Sequence, residues 1–253
     1  MKRKLAIWIG LMACFAFVAW KLDSNSKPQD LGHGATFIIK RIGSIKLQLV
    51  FFEESKTTLR VLSNTDRASG QGLDAWGHST GALAVCNGGY FEVGKLLPSG
   101  IEISQGKRSG TLLKREWGGG FGVKDGKPAL IWDEEFHDDP KLTDYLQCSP
   151  WLVSDGKPWP MPKPAKPEPK NARTFILTDQ AGHWAIGIAE NVGLLELAEI
   201  LVTPGVITEF TVKRALNLDG GPSTGLCFKT ADGRENLDKP GWIVRNGIAI
   251  VPR

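Results

Sequence analysis

From residue 36 onward, runs rich in Ile, Val, Phe and Thr alternate with short polar breaks. Residues 36–42, 45–52 and 57–62 predict three strands with turn residues between them. A further short apolar run, 82–86, ends at Asn87-Gly88-Gly89. Asp125-Gly126, Asp155-Gly156, Asp232-Gly233 and Asn246-Gly247 each sit between strand-like segments and predict hairpin turns. Helical signals are fewer. Asp139-Pro140 reads as an N-cap with Pro at the first helical position, opening a short helix to about Gln147. Residues 194–201, after Gly193, have helical composition, and no internal repeat is visible. The pattern predicts one α+β domain on antiparallel or mixed sheet, with a few short helices, over residues 35–253.

Three segments break this pattern. Residues 5–20 form an uncharged apolar run, preceded by Lys2, Arg3 and Lys4 and closed by Lys21. A basic stretch before an apolar one reads as a secretory signal or a signal-anchor helix, and lipidation at Cys14 is the less favoured reading because the apolar run continues past it. Either form places the rest of the chain outside the cytoplasm, in a periplasm or cell envelope, with the membrane as partner of the N-terminal segment. Residues 21–34 are polar and predict a tether. Residues 158–170 hold six prolines and predict an extended, exposed loop that folding does not require.

Composition then narrows the function. The formal net charge is +4, but three of the bases are Lys2, Arg3 and Lys4, which leaves the body close to neutral. That argues against nucleic acid as a partner. Cys86, Cys148 and Cys227 remain outside the apolar run, so at most one internal disulfide can form among them, and small buried thiols are the favoured reading. No Cys-x-x-Cys spacing exists, and the acidic stretch 133–139 lacks a calcium-loop pattern. Neither a metal nor another cofactor is expected.

Two Gly-rich segments at strand ends carry the candidate chemistry: Asn87-Gly88-Gly89-Tyr90-Phe91, and Asp219-Gly220-Gly221-Pro222-Ser223-Thr224-Gly225. Paired glycines permit close backbone approach, so neighbouring N–H groups can converge on an anion; each pair alone also suits a tight turn. Gly221-Pro222-Ser223-Thr224-Gly225 matches the G-x-S-x-G nucleophile elbow, but no helix follows it and no His follows Ser223, which excludes a serine hydrolase of that type. Arg173 opens a strand-like segment after the Pro-rich stretch, and its planar fork suits a phosphate.

In order and spacing, Asn87-Gly88-Gly89-Tyr90-Phe91, Arg173-Thr174 and Leu216 to Ser223 resemble the motifs of the phosphodiester glycosidase family, which includes the lysosomal uncovering enzyme. The resemblance covers roughly residues 35–252. The family's second motif usually reads Asp-Gly-Gly-Gly-Ser, whereas Pro222 replaces the third glycine here and removes one N–H. The resemblance implies hydrolysis of the sugar–phosphate bond of a sugar-1-phosphodiester, or of a phosphorylated glycan, by an envelope member of the family. It implies Asp219 and Arg173 as catalytic residues, and Asn87, Gly88, Gly89, Glu92, Gly220, Gly221, Ser223 and Thr224 as substrate-binding ones. Two other readings stay open: a non-catalytic envelope module that binds phosphorylated glycans, and a structural anchor whose Pro-rich loop docks a partner.

Overall fold

The computed structural model describes residues 22–253 apart from 67, 115 and 116, so the predicted signal or anchor lies outside the described residues. Among the described residues no helix is long and apolar enough to cross a membrane. The described residues form mostly antiparallel β-sheet, with two short α-helices among them, α1 (Leu73–Thr80) and α2 (Leu194–Val202).

The largest sheet runs, in spatial order, through Leu22–Asn25, Ala35–Ile42, Ile45–Glu53, His183–Val192, Asn171–Thr178, Arg214–Asn217, Trp151–Ser154 and Lys157–Pro158, with Gln29–Gly32 also on Ala35–Ile42. Its central strands are buried on both faces. Val50 and Phe52 point into the main core, while Leu49 and Phe51 point into a second layer that α2 covers with Leu197, Ile200 and Leu201. Burial on both faces is why Leu49 to Phe52 read as an unbroken apolar run, whereas the strand's first half, with Lys46 and Gln48, alternates.

A second sheet orders Lys107–Ser109, Glu102–Ser104, Leu142–Cys148, Gly119–Lys124 and Lys127–Trp132. A third orders Glu235–Asp238, Leu226–Lys229, Ala84–Asn87, Asn246–Pro252 and Thr57–Ser63, with α1 laying Leu73 and Trp76 on its outer face. Side chains of all three sheets meet in the main core, where Phe37 of the first stacks on Phe228 of the third at 4.0 Å.

Three of the four predicted hairpin turns form. Asp125 and Gly126 take φ of +50° and +73° and join Gly119–Lys124 to Lys127–Trp132, the pair of positive angles that a two-residue hairpin requires. Asp155-Gly156 and Asp232-Gly233 likewise close hairpins. Asn246-Gly247 does not. It lies inside the strand Asn246–Pro252, opposite Ser63 and Leu62, with Asn246 buried.

The helix expected from Asp139-Pro140 is instead the strand Leu142–Cys148, paired on one side with Gly119–Lys124 and on the other with Glu102–Ser104. Asp139 caps only a turn, accepting the Lys141 N–H at 2.9 Å. Pairing on both sides satisfies more backbone groups here than one helical turn would. The segment read as a tether contributes the edge strands Leu22–Asn25 and Gln29–Gly32. The Pro-rich stretch is largely exposed but anchored. Trp159 packs against the main core with its ring 4.8 Å from that of Trp132, and Met161 packs against the second layer. Glu168 accepts the Leu194 and Leu195 N–H groups, at 2.5 and 3.1 Å, and so caps α2 from outside the helix.

Candidate active site

The two Gly-rich segments lie side by side where the three sheets meet. Asn87 ends a strand of the third sheet and Asp219 follows a strand of the first. The Asn87 side chain joins them: its Nδ2 donates to the Asp219 carbonyl at 2.7 Å, while its Oδ1 accepts from the Thr174 hydroxyl at 2.6 Å and the Gly225 N–H at 3.1 Å. The Asp219 N–H returns a bond to the Gly88 carbonyl at 2.9 Å. Every bond in this set crosses between chain segments far apart in sequence, so the backbone of Asp219 is held from both sides.

A second asparagine holds the other segment. Asn246 accepts the Gly88 N–H on its carbonyl at 2.9 Å and the Gly89 N–H on its Oδ1 at 2.6 Å. Its Nδ2 donates to Glu102 at 2.7 Å, and the buried Arg245 grips the same carboxylate, its closest bond being 2.6 Å. Ser63 adds a further donor to Glu102 at 2.8 Å. A Cβ on Gly88 would stand 2.4 Å from Asn246 Oδ1, so the close packing here admits glycine alone. The Gly88 and Gly89 amides expected to face an anion are thus spent on Asn246.

Asp219 is half-buried. Its Oδ1 accepts the Gly220 N–H at 2.9 Å, and the Ser223 hydroxyl donates to the carboxylate. Trp242 Nε1 in turn donates to Ser223 Oγ at 3.0 Å, which leaves the hydroxyl proton free to point at Asp219. Burial pushes the Asp219 carboxyl above the usual carboxylate range, and the bonds from Ser223 and Gly220 hold the rise back. Pro222 sits in the 3₁₀ turn Gly221–Ser223, a first-turn position that needs no N–H. Thr224 Oγ1 is buried with no hydrogen-bond partner among the described residues.

The other candidates divide. Strand alternation sets Thr174 and Arg173 on opposite faces, so Thr174 reaches Asn87 while the Arg173 side chain turns toward the Pro-rich loop. There Arg173 donates to the Val192 carbonyl at 3.3 Å and the Pro169 carbonyl at 3.2 Å, and stands 3.9 Å from Glu168. A Cβ built on Gly220 would stand 3.6 Å from the Arg173 Cα, so Arg173 meets the Asp219 turn through its backbone. Glu92 is exposed and paired with Lys95 at 3.0 Å. Nothing local in the sequence marks Asn246, Glu102 or Arg245, because their partners are distant in the chain and Asn246-Gly247 reads as a turn. Thr174 is visible only as the neighbour of Arg173.

Among the described residues Cys86, Cys148 and Cys227 form no disulfide; Cys86 and Cys148 are buried and Cys227 is half-buried. Burial pushes Cys86 up to about 12, and burial with Asp74 and Glu235 pushes Cys227 up to about 11, which keeps both protonated. Among the described residues no group of three or more His, Cys, Asp or Glu side chains is placed to hold a metal ion.

No curated protein matches the chain. Among solved structures it is similar to the zebrafish N-acetylglucosamine-1-phosphodiester alpha-N-acetylglucosaminidase catalytic domain, auto-inhibited by its pro-peptide. That likeness spans 91% of this chain and 83% of the other at 16% identity, with a TM-score of 0.60. A hypothetical protein from Synechocystis is 15% identical over 87% of this chain and 62% of its own, with a TM-score of 0.62. At such identities these likenesses speak for the fold. The phosphodiester glycosidase family model matches residues 80–251, a span that holds both Gly-rich segments, Arg173 and Asn246. The chain belongs to the phosphodiester glycosidase family, hydrolases of the glycosidase type.

Proposed function

We propose that the protein hydrolyses the bond between the anomeric carbon of a sugar and the phosphate of a sugar-1-phosphodiester, outside the cytoplasm, with Asp219 as the catalytic carboxylate. The observation that carries this reading is the setting of Asp219: a half-buried carboxylate with a raised pKa, its backbone fixed by Asn87 and Gly88, its oxygens facing Ser223 and Gly220. In the reaction the C1–O bond breaks, the electron pair leaves with the phosphate, and water supplies the new C1–O bond. Asp219 takes the proton of that water as the sugar passes through its cation-like transition state. The leaving phosphate is weakly basic, so a second carboxylate acting as strong acid is unnecessary. Arg173 borders the Asp219 turn through its backbone and points its guanidinium toward the Pro-rich loop, where a phosphate reaching past that turn would meet it. Ser223 and Thr224 supply hydroxyls to the sugar or phosphate. The basic-then-apolar N-terminus supports export.

The test is incubation of the parent and Asp219→Asn with a panel of sugar-1-phosphodiesters, scored for released sugar. Release by the parent and its loss in the variant is expected. Binding of panel members by the parent without any release would overturn the enzymatic reading in favour of a glycan-binding module.

A further inference from the structure

Beside the site lies a groove of about 480 Å³ with an unusually apolar lining. The Pro-rich loop contributes Met161, Pro162 and Pro164, and the first turn of α2 contributes Leu194 and Leu195. Trp117 also lines it, held at φ +60°, a backbone conformation that a bulky side chain rarely adopts.

Two of the groove's walls are shared with the site. The Ser149–Pro150 wall accepts bonds from Asn217, two residues before Asp219: Nδ2 to the Ser149 carbonyl at 3.1 Å and N–H to the Pro150 carbonyl at 3.0 Å. Tyr90, from the first Gly-rich segment, donates to the same Ser149 carbonyl at 2.6 Å. The Glu168 wall faces Arg173 at 3.9 Å. A molecule with its phosphate at Arg173 would therefore have this groove within reach of its remaining ester arm.

The surroundings agree with an apolar arm. Of the four exposed large hydrophobic side chains among the described residues, Leu97, Leu112 and Leu113 lie on segments bonded to neighbours of the Ser149–Pro150 wall. The Leu113 N–H donates to Gln147, two residues before Ser149, and the Ser99 N–H beside Leu97 and Pro98 donates to the Tyr90 carbonyl. Lys163 and Lys166, exposed between the groove-lining residues of the loop, add positive charge suited to a phosphate.

We infer that the groove takes the hydrocarbon aglycone of the substrate, which makes the substrate a glycosyl phosphate ester of a long-chain alcohol or lipid. The inference rests on the catalytic reading of Asp219 for its orientation, but the groove is testable without turnover. Calorimetry with methyl, hexyl and decyl phosphate, below their aggregation concentrations, reads it directly. Affinity should rise by up to about fourfold per added methylene while the groove fills, and by about a hundredfold or more from methyl to decyl. Leu195→Gln should flatten that dependence. A dissociation constant independent of chain length would overturn the inference. Kinetics then separate the two readings. Turnover of a methyl glycosyl phosphodiester alongside a flat binding series removes the lipid aglycone and keeps the hydrolase. A steep binding series with no ester turned over keeps the groove as an alkyl phosphate site and removes Asp219 from catalysis.

Discussion

Replacing Asp219 with Asn separates a chemical role from a structural one. Asn is nearly isosteric, its Oδ1 can still accept the Gly220 N–H, and the Asn87 and Gly88 contacts use only the backbone at this position. Loss of the carboxylate as base should lower kcat by roughly 10²–10⁴, which corresponds to about 2.7–5.5 kcal/mol of lost transition-state stabilisation. Stability should move the other way. Burial raises the folded-state pKa of Asp219, so the native protein binds this proton more readily than the unfolded chain does. A group of that kind costs stability once pH rises past its folded value, and costs nothing below its unfolded value. The variant should therefore melt at or above the parent near pH 7, and the difference should vanish as pH falls below the ordinary Asp value of about 3.9. The parent's activity should also fall on the acid side at a pH above that same ordinary value of about 3.9, where the raised carboxyl becomes protonated. Sugar release and thermal melting, each measured across pH, check all three expectations. A folded variant with near-parental turnover would refute the argument and return Asp219 to the role of a turn residue.

Asn246→Ala should cost about 1–3 kcal/mol in denaturant unfolding, because it leaves the Gly89 N–H without its partner in the interior and takes one donor from the Glu102 carboxylate, which Arg245 still holds; a cost under about 0.5 kcal/mol would count against the network. Replacing residues 159–170 with a Gly-Ser linker should lower Tm clearly, since it removes the packing of Trp159 and the Glu168 cap on α2, the cap alone being worth about 1 kcal/mol. An unchanged Tm would restore the loop to the dispensable status its composition suggests. Arg173→Lys keeps the charge but cannot reproduce two bonds from one planar group, so kcat/KM on a phosphodiester should fall by about tenfold, the equivalent of one charged hydrogen bond. Parental kinetics would take Arg173 out of the site.

What the sequence made legible was local. Asp125-Gly126 announces its hairpin because the positive φ angles are a property of those two residues, and the strands at 36–42 and 45–52 announce themselves through composition. Asn246-Gly247 carries the same local signal and yet lies in a buried strand, because Gly89, just past the neighbouring strand, and Glu102 of the second sheet claim its side chain. The Asp139-Pro140 signal fails in the same way, overruled by partners on both sides of Leu142–Cys148. In the site, the Gly-rich segments stand out as motifs, so Asn87 and Asp219 are found from sequence. Whether a side chain next to a motif faces the site depends on strand register, and register puts Thr174 inward and sends Arg173 to the loop. The Glu102–Arg245 pair has no sequence signature, since its members stand 143 positions apart.

The seam between sheets also sets what the candidate site can report. Asn87 and Asn246 belong to one sheet, Thr174 to another and Glu102 to the third, and the bonds among them are short-range and directional. Hydrophobic contact across the core tolerates a slight separation of the layers far better than these bonds do. Turnover is therefore a gauge of how tightly the layers are closed, more sensitive than any spectroscopic signal of strand content. Under mild denaturant or pressure the enzyme should fall silent while its sheets are still intact, like a lock whose plates have parted by less than the thickness of the key.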